Sequence, residues 1–248
     1  MKDLGHIMAG LDAIAGLRVL AGEPMARHTS LRVGGPADWF VRADDDRAVA
    51  TLLSLVAREG IPCMVLGNGT NLLVTDEGIE GVVLALDGDF RTVNVRDGSQ
   101  DVLVNVGAAM PLPALLTLMA ERDCAGLDGL TGIAGSVGGA VRMNAGTADG
   151  SVAGVLQRAR LAILGDVAWV EATSLNLQYR HSDLPAGAVI VGAEMTLRRG
   201  RTAKDREVSE RIASHRRQNQ PPMRGTAGSF FRNPDAAAGL FAGRMIEE

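Results

Sequence analysis

"GIAGSVGGAVRMNAG", Gly132 to Gly146, sets five glycines in fifteen residues with no aromatic, no acid and a single arginine. Three structures need so bare a backbone. Glycines let main-chain N–H groups close around a phosphate, let packed strands cross tightly, or let two membrane helices approach. The rest of the chain decides among them.

The membrane reading lacks a span. The longest uncharged run, Val102 to Ala120, is interrupted by Pro111 and Pro113. It reads instead as a strand, a turn and a helix carrying Leu112, Leu115, Leu116 and Met119 on one face, with Gly126 after its end. Upstream, "DDDRAVATLLSLVAREG" predicts an amphipathic helix: aspartates at its start, Val49, Leu52, Leu53 and Val56 at helical spacing, and Gly60 to stop it. The strand "PCMVLG" follows. Short apolar runs VVLAL, TVNV and VLVNV come next, separated by "DGD" and "RDGSQD", so strands joined through Asp-Gly turns are expected. Past the glycine stretch, "VLQRARLAILGDVAWVEATSLNLQY" predicts a hairpin turning near Gly165-Asp166. "AVIVGAEMTLR" alternates Val189, Val191, Ala193, Met195 and Leu197 as a half-buried strand does. The class is α+β, without regular β–α alternation.

With 46% hydrophobic residues in 248 the chain can bury a full core, and a net charge of −4 argues against a nucleic-acid coat. Two cysteines, Cys63 and Cys124, stand far apart and suggest neither a disulfide framework nor a metal site. The acids in "MKDLGHIMAGLDAIAG" argue against a signal peptide, so a cytoplasmic protein is expected. Charge is unevenly spread. Arg198 to Arg232 holds ten Lys/Arg against three Asp/Glu, leaving −11 on the remainder, which marks a separate functional surface.

The glycine stretch has a counterpart in "VLGNGTNLLV", Val65 to Val74. It begins like a dinucleotide fingerprint, but its third glycine is missing and no helix follows. Its Gly67 and Gly69 tolerate positive φ, and Asn68, Thr70 and Asn71 add donors, so the loop can form an anion nest as readily as a plain turn. Ser136 gives the second loop a hydroxyl, and two such loops could grip one pyrophosphate from both sides. Arg180 in "QYRHSDLP" reads as a surface ion pair or an anion contact. Ser229 in "AGSFFRNP" reads as a loop cap or a proton donor. Arg216, Arg217, Arg224 and Arg232 suit a diphosphate, although a solvated helix face fits Arg216 and Arg217 equally well.

Taken in series, "HTSLRVGGPADWFV", "LGNGTNLLVTDEGIEGVV", "GLTGIAGSVGGAVRMNAG", "YRHSDLP" and "GSFFRNP" resemble the UDP-N-acetylenolpyruvoylglucosamine reductase family in its short form, from about Leu17 onward. The resemblance implies an FAD-binding region of the p-cresol methylhydroxylase type, two α+β subdomains, over residues 1–198 (about 30–198). A partial substrate-binding domain would occupy 199–248. It also implies NADPH as reductant and a UDP-sugar substrate, with no nucleic-acid or membrane partner and a monomeric state. By the same resemblance Gly67, Asn68, Gly69, Thr70 and Asn71, with Gly132, Ile133, Gly135, Ser136, Gly138, Gly139 and Val141, line the FAD. Arg180 stabilises an enolate-like anion, and Ser229 supplies a proton. Tyr179, Arg232 and Asn233 are the implied substrate contacts, with Arg217 a weaker candidate, and no metal is implied.

The family's third catalytic group, a glutamate in its C-terminal segment, lies past "FAGRMIEE", where this sequence stops; Glu247 and Glu248 match an earlier part of the family pattern. A flavin- or nucleotide-binding module without turnover is therefore the alternative expectation. A sugar or alcohol flavo-oxidase on the same scaffold is a third.

Overall fold

The computed structural model describes residues 9–220, together with 228, 231, 233, 234, 240 and 242–247. A first sheet contains β1 (Leu17–Pro24), β2 (Pro36–Ala43), β3 (Cys63–Leu66) and β4 (Ile79–Leu86), in the order β1-β2-β4-β3. Helix α1 (Asp46–Glu59) carries the chain from β2 to β3, and both of these strands run parallel to β4. The second sheet is antiparallel along its path β11-β10-β12-β6-β5, formed by β5 (Val93–Asp97), β6 (Asp101–Gly107), β10 (Leu156–Ile163), β11 (Asp166–Glu171) and β12 (Val189–Arg199). Between β6 and β10 come α2 (Leu112–Glu121), β7 (Cys124–Ala125), α3 (Val137–Arg142) and the small pair β8 (Gly146–Thr147) and β9 (Gly150–Ser151). Helix α4 (Ala203–Asn219) follows β12, and α5 spans Ala242–Glu247.

Helix α1 forms where its sequence signals it. Asp45 caps the first turn by accepting from the Ala48 N–H at 2.8 Å, and Gly60 closes the last turn at φ +58°. Its Val49, Leu52, Leu53 and Val56 are buried in one core with Trp39, Val41, Val82 and Leu84 of the first sheet and Ala162, Val189 and Val191 of the second. Each such side chain contributes about 1.5–3 kcal/mol when fully buried, so α1 joins the two sheets into one body.

Two expectations change. The "DGD" segment is not a hairpin turn: the 3-10 turn Gly88–Arg91 carries the chain from β4 in the first sheet to β5 in the second. Strand β12 is not half-buried; it lies between β10 and β6, and every residue from Val189 to Met195 is buried. A strand covered on both faces has no need to alternate. Helix α2 ends ahead of Gly126 as expected: it stops at Glu121, and Asp123 at φ +55° makes the reversal.

Part of the basic stretch is tied to the preceding region. Arg201, just ahead of helix α4, pairs with Asp128 at 2.5 Å, and from the helix itself Arg206 pairs with Asp123 at 3.0 Å and Arg211 with Asp149 at 2.6 Å; α4 buries only Ile212. These pairs offset part of the charge asymmetry along the sequence. At the start of α4, Thr202 and Asp205 form a capping box; the Thr202 hydroxyl donates to the Asp205 carboxylate, which with Arg198 holds its pKa down to about 2.

Candidate functional site

The two glycine stretches meet. Strand β3 delivers Gly67 against the start of α3, where a β-carbon added to Gly67 would lie 2.6 Å from Ser136 Oγ. A β-carbon on Gly135, which sits at φ +127°, would lie 3.3 Å from Thr70 Oγ1. Gly69, at φ +63°, has no room at all, because its β-carbon would fall 1.9 Å from the His28 carbonyl oxygen. The Gly69 carbonyl accepts from the Ser30 N–H at 3.0 Å. The N–H groups of Asn68, Gly69 and Thr70 enter no hydrogen bond among the described residues.

The second stretch is only partly the loop its composition suggests. Ser136 caps α3, accepting from the Gly139 N–H at 3.3 Å. The N–H groups of Val137 and Gly138 donate to the Met110 and Ala108 carbonyls at 2.9 Å each, so they serve packing. Gly138 is bare for the same reason: its β-carbon would sit 2.9 Å from that of Ala108.

Both stretches wall a cavity of about 650 Å³. Gly67, Asn68, Ser136, Gly138 and Gly139 line it, opposite an apolar surface that includes Phe40, Leu86, Val189 and Ile190. Gly69, Thr70, Asn71, Gly132, Ile133 and Gly135 are outside that lining, and Val141 is fully buried in the core of the second sheet. His28 also lines the cavity, stacked on Phe40 with ring centroids 4.0 Å apart and its Nε2 3.0 Å from Glu23 Oε1. That contact holds the Glu23 carboxyl below the usual carboxylate range. A mostly apolar cleft with a bare, donor-bearing rim suits a long ligand with an anionic middle, and in size it falls within the range of small-molecule sites. The uncommitted Asn68 amide and the cradle at Gly67 fit the pyrophosphate of the flavin dinucleotide that the resemblance implies.

Arg180 and Tyr179 occupy the tip of a tight turn. Gln178 and His181 exchange N–H to carbonyl bonds of 3.1 Å in both directions, and Arg180 takes φ +56°. The guanidinium of Arg180 lies 5.7 Å from the Tyr179 ring centroid, and Asn233 Nδ2 donates to Tyr179 Oη at 3.3 Å. Arg216, on the last turn of α4, donates to the Gly132 carbonyl at 2.8 Å, and a β-carbon on Gly132 would come within 2.5 Å of its Cδ. Burial, and then the charge of Arg180, press the Arg216 pKa below its ordinary value. The structure therefore brings together Tyr179, Arg180 and Asn233, with Arg216 near enough for the Arg180 charge to act on it. Ser229 and Arg232 lie outside the described residues.

Sequence reasoning missed Arg142, Ser182, Asn144 and His28. Arg142 is the single arginine of the opening stretch and lines the cavity. The other three carry no local signal, because their roles arise from contacts with distant segments. Among the described residues there is no cluster of three His, Cys, Asp or Glu able to hold a metal, and no helix long and apolar enough to cross a membrane.

Comparison with known proteins accounts for this architecture. Residues 37–163 match a family model described as an FAD binding domain. UDP-N-acetylenolpyruvoylglucosamine reductase of Myxococcus xanthus is 36% identical over 97% of this chain and 77% of its own length. The corresponding protein of an Anaeromyxobacter species is 42% identical over 92% of this chain and 70% of its own. The crystal structure of UDP-N-acetylenolpyruvylglucosamine reductase (MurB) from Thermus caldophilus superposes with a TM-score of 0.79 at 33% identity, covering 93% of this chain and 79% of that one. A cholesterol oxidase from Brevibacterium sterolicum, at 16% identity and a TM-score of 0.53, shares the fold alone. With its α+β FAD-binding fold of the p-cresol methylhydroxylase type, the chain belongs to the UDP-N-acetylenolpyruvoylglucosamine reductase family.

Proposed function

We propose that this protein reduces the enolpyruvyl ether of UDP-N-acetylglucosamine enolpyruvate to the lactyl ether of UDP-N-acetylmuramate, with NADPH as electron donor, as a step of peptidoglycan synthesis. FAD, when bound, supplies the hydride-carrying chemistry between nicotinamide and substrate. The reaction adds one hydride and one proton across the carbon–carbon double bond. Arg180 offers its guanidinium to the negative charge that grows towards the substrate carboxylate, and Ser229 delivers the proton. Tyr179, Arg232 and Asn233 hold the UDP-sugar. Residues 1–198 form the FAD-binding region in this reading, and 199–248 belong to the substrate-binding part.

The observation that supports this best is the link between cavity and turn. Arg142 and Leu184 line the cavity whose rim carries both glycine stretches, and Arg142 is hydrogen-bonded to Ser182, two residues from Arg180. Arg180 and Arg216 lie outside that lining, close enough for the Arg180 charge to act on Arg216, and neither pairs with a carboxylate among the described residues. Such a pair suits an anionic substrate.

The test is the visible spectrum of the purified protein, followed by NADPH oxidation with the enolpyruvyl sugar nucleotide. Bound flavin and substrate-dependent oxidation are expected. A protein that neither carries FAD nor melts higher in its presence would overturn the cofactor assignment. Flavin without NADPH oxidation would leave a binding module, and flavin reduction by a sugar alone would indicate an oxidase.

A further inference from the structure

The turn that presents Arg180 is anchored at its base, where the Asp183 N–H donates to the Leu175 carbonyl at 2.7 Å, and on both flanks by the chain at the end of α3. Arg180 is an L-residue at φ +56°, a conformation that persists only when the surroundings impose it. The Gln178–His181 bridge closes the turn but leaves its direction open. That direction is set by the C-terminal end of α3. The Ser182 hydroxyl, in a residue only 2% exposed, donates to the Arg142 carbonyl at 2.7 Å. Arg142 returns Nη1 to the Ser182 carbonyl at 3.0 Å. On the other flank Asn144 Nδ2 donates to the Gln178 carbonyl at 3.0 Å, while its Oδ1 accepts from the Ala153 N–H at 3.0 Å.

Arg142 also lines the cavity, and no carboxylate pairs with it among the described residues. An unpaired guanidinium that spends its hydrogen bonds on a backbone carbonyl and a hydroxyl orients rather than neutralises. Helix α3 is capped by Ser136, in contact with the first glycine loop, and ends at Arg142. The cofactor wall and the support of the turn are thus one rigid element of six residues.

We propose that Ser182 and Arg142 are positioning residues for Arg180, fixing its guanidinium relative to the cofactor cavity through the short helix α3. This rests on the reading of Arg180 as the anion-stabilising residue. A misplacement of about 1 Å at a reacting group can lower a rate by about a hundredfold, so loss of the clamp is read in turnover. Binding of FAD, whose wall Ser182 does not join, should stay as it is.

The experiment is a cycle on the flavin-loaded full chain with Ser182→Ala, Arg180→Ala and the double variant, measuring kcat, KM and the FAD dissociation constant. Ser182→Ala is expected to lower kcat about tenfold or more, with KM and FAD affinity changed less than about threefold. In the Arg180→Ala background the same substitution should cost nothing further, and Ser182→Thr, which keeps the hydroxyl, should recover turnover. Arg142→Lys provides a second cycle should Ser182→Ala fail to fold; its loss of kcat should likewise vanish without Arg180. Equal losses in both backgrounds would overturn the proposal and leave the Arg180 reading intact. Parent turnover in Arg180→Ala would remove that reading, and the proposal with it.

Discussion

Ser136 Oγ occupies the space beside Gly67 so closely that a β-carbon on Gly67 would lie 2.6 Å from it. The contact is side chain against backbone, so it yields a compensation test. Gly67→Ala forces Ser136, or the loop, away from the cavity rim. FAD affinity should then fall about tenfold or more, each tenfold being about 1.4 kcal/mol. Ser136→Gly removes the obstructing hydroxymethyl group and, at a helix N-cap, costs only a few tenths of a kcal/mol. The double variant should therefore regain most of the affinity in a flavin fluorescence titration. Equal loss with and without Ser136 would show that the loops do not meet there.

The arginines that tie the α4 segment to the preceding region are unequal in what they contribute. Arg201 and Asp128 are 13% and 11% exposed at 2.5 Å, and Ser209 also donates to that carboxylate at 2.9 Å. Arg206 and Asp123 are both 56% exposed. Removing one partner of the covered pair strands Asp128 away from water, whereas the open pair is screened by solvent. Arg201→Ala should cost about 3 kcal/mol in urea unfolding, the low end for a broken covered pair. Arg206→Ala should cost less than about 0.5 kcal/mol. Equal costs would mean that α4 is held by something other than the Asp128 contact.

What the sequence makes legible is whatever local chemistry decides. Helix α1 is readable to its caps because Asp45, the apolar spacing and Gly60 each act within one turn. Strand β12 misleads because Glu194 reads as a solvent-facing residue, yet it is 8% exposed and paired with Arg158 at 2.7 and 3.1 Å. Both glycine stretches stand out by composition, but their contact at Gly67 and Ser136 is tertiary and leaves no trace in either segment. The same holds for Arg142, whose partner Ser182 lies forty residues away. The basic run is visible as charge, while its aspartate partners are spread among unrelated loops.

Cys63 lines the cavity and burial pushes its thiol up to about 11, from a reference of 9.0. The neutral thiol is the poor nucleophile, so iodoacetamide should label Cys63 in the folded protein far more slowly than free glutathione at pH 8. The sign of the linked stability follows from the same shift. Below about 9 both states hold the proton and nothing changes; as pH rises from 9 towards 11 the unfolded thiol ionises first, and folding stability falls. Cys63→Ser should flatten that alkaline decline. Rapid labelling at pH 8 would mean that the thiol is not shielded.

Arg216 is the most informative single substitution on the substrate side. It holds the Gly132 carbonyl at 2.8 Å and stands near enough to Arg180 for that charge to depress its own pKa. Two like charges in a partly desolvated site repel, and an anion placed between them relieves the repulsion. Arg216→Gln keeps a donor for Gly132 while removing the charge. It should raise KM for the enolpyruvyl sugar nucleotide about tenfold and leave the flavin spectrum unchanged. The salt dependence of KM should also become shallower, since one of the two attracting charges is gone. Arg216→Ala removes the hydrogen bond as well and should additionally perturb the flavin spectrum through Gly132. If Arg216→Gln left both KM and its salt dependence unchanged, the charge of Arg216 would have no part in substrate binding, and its role would be confined to the glycine loop.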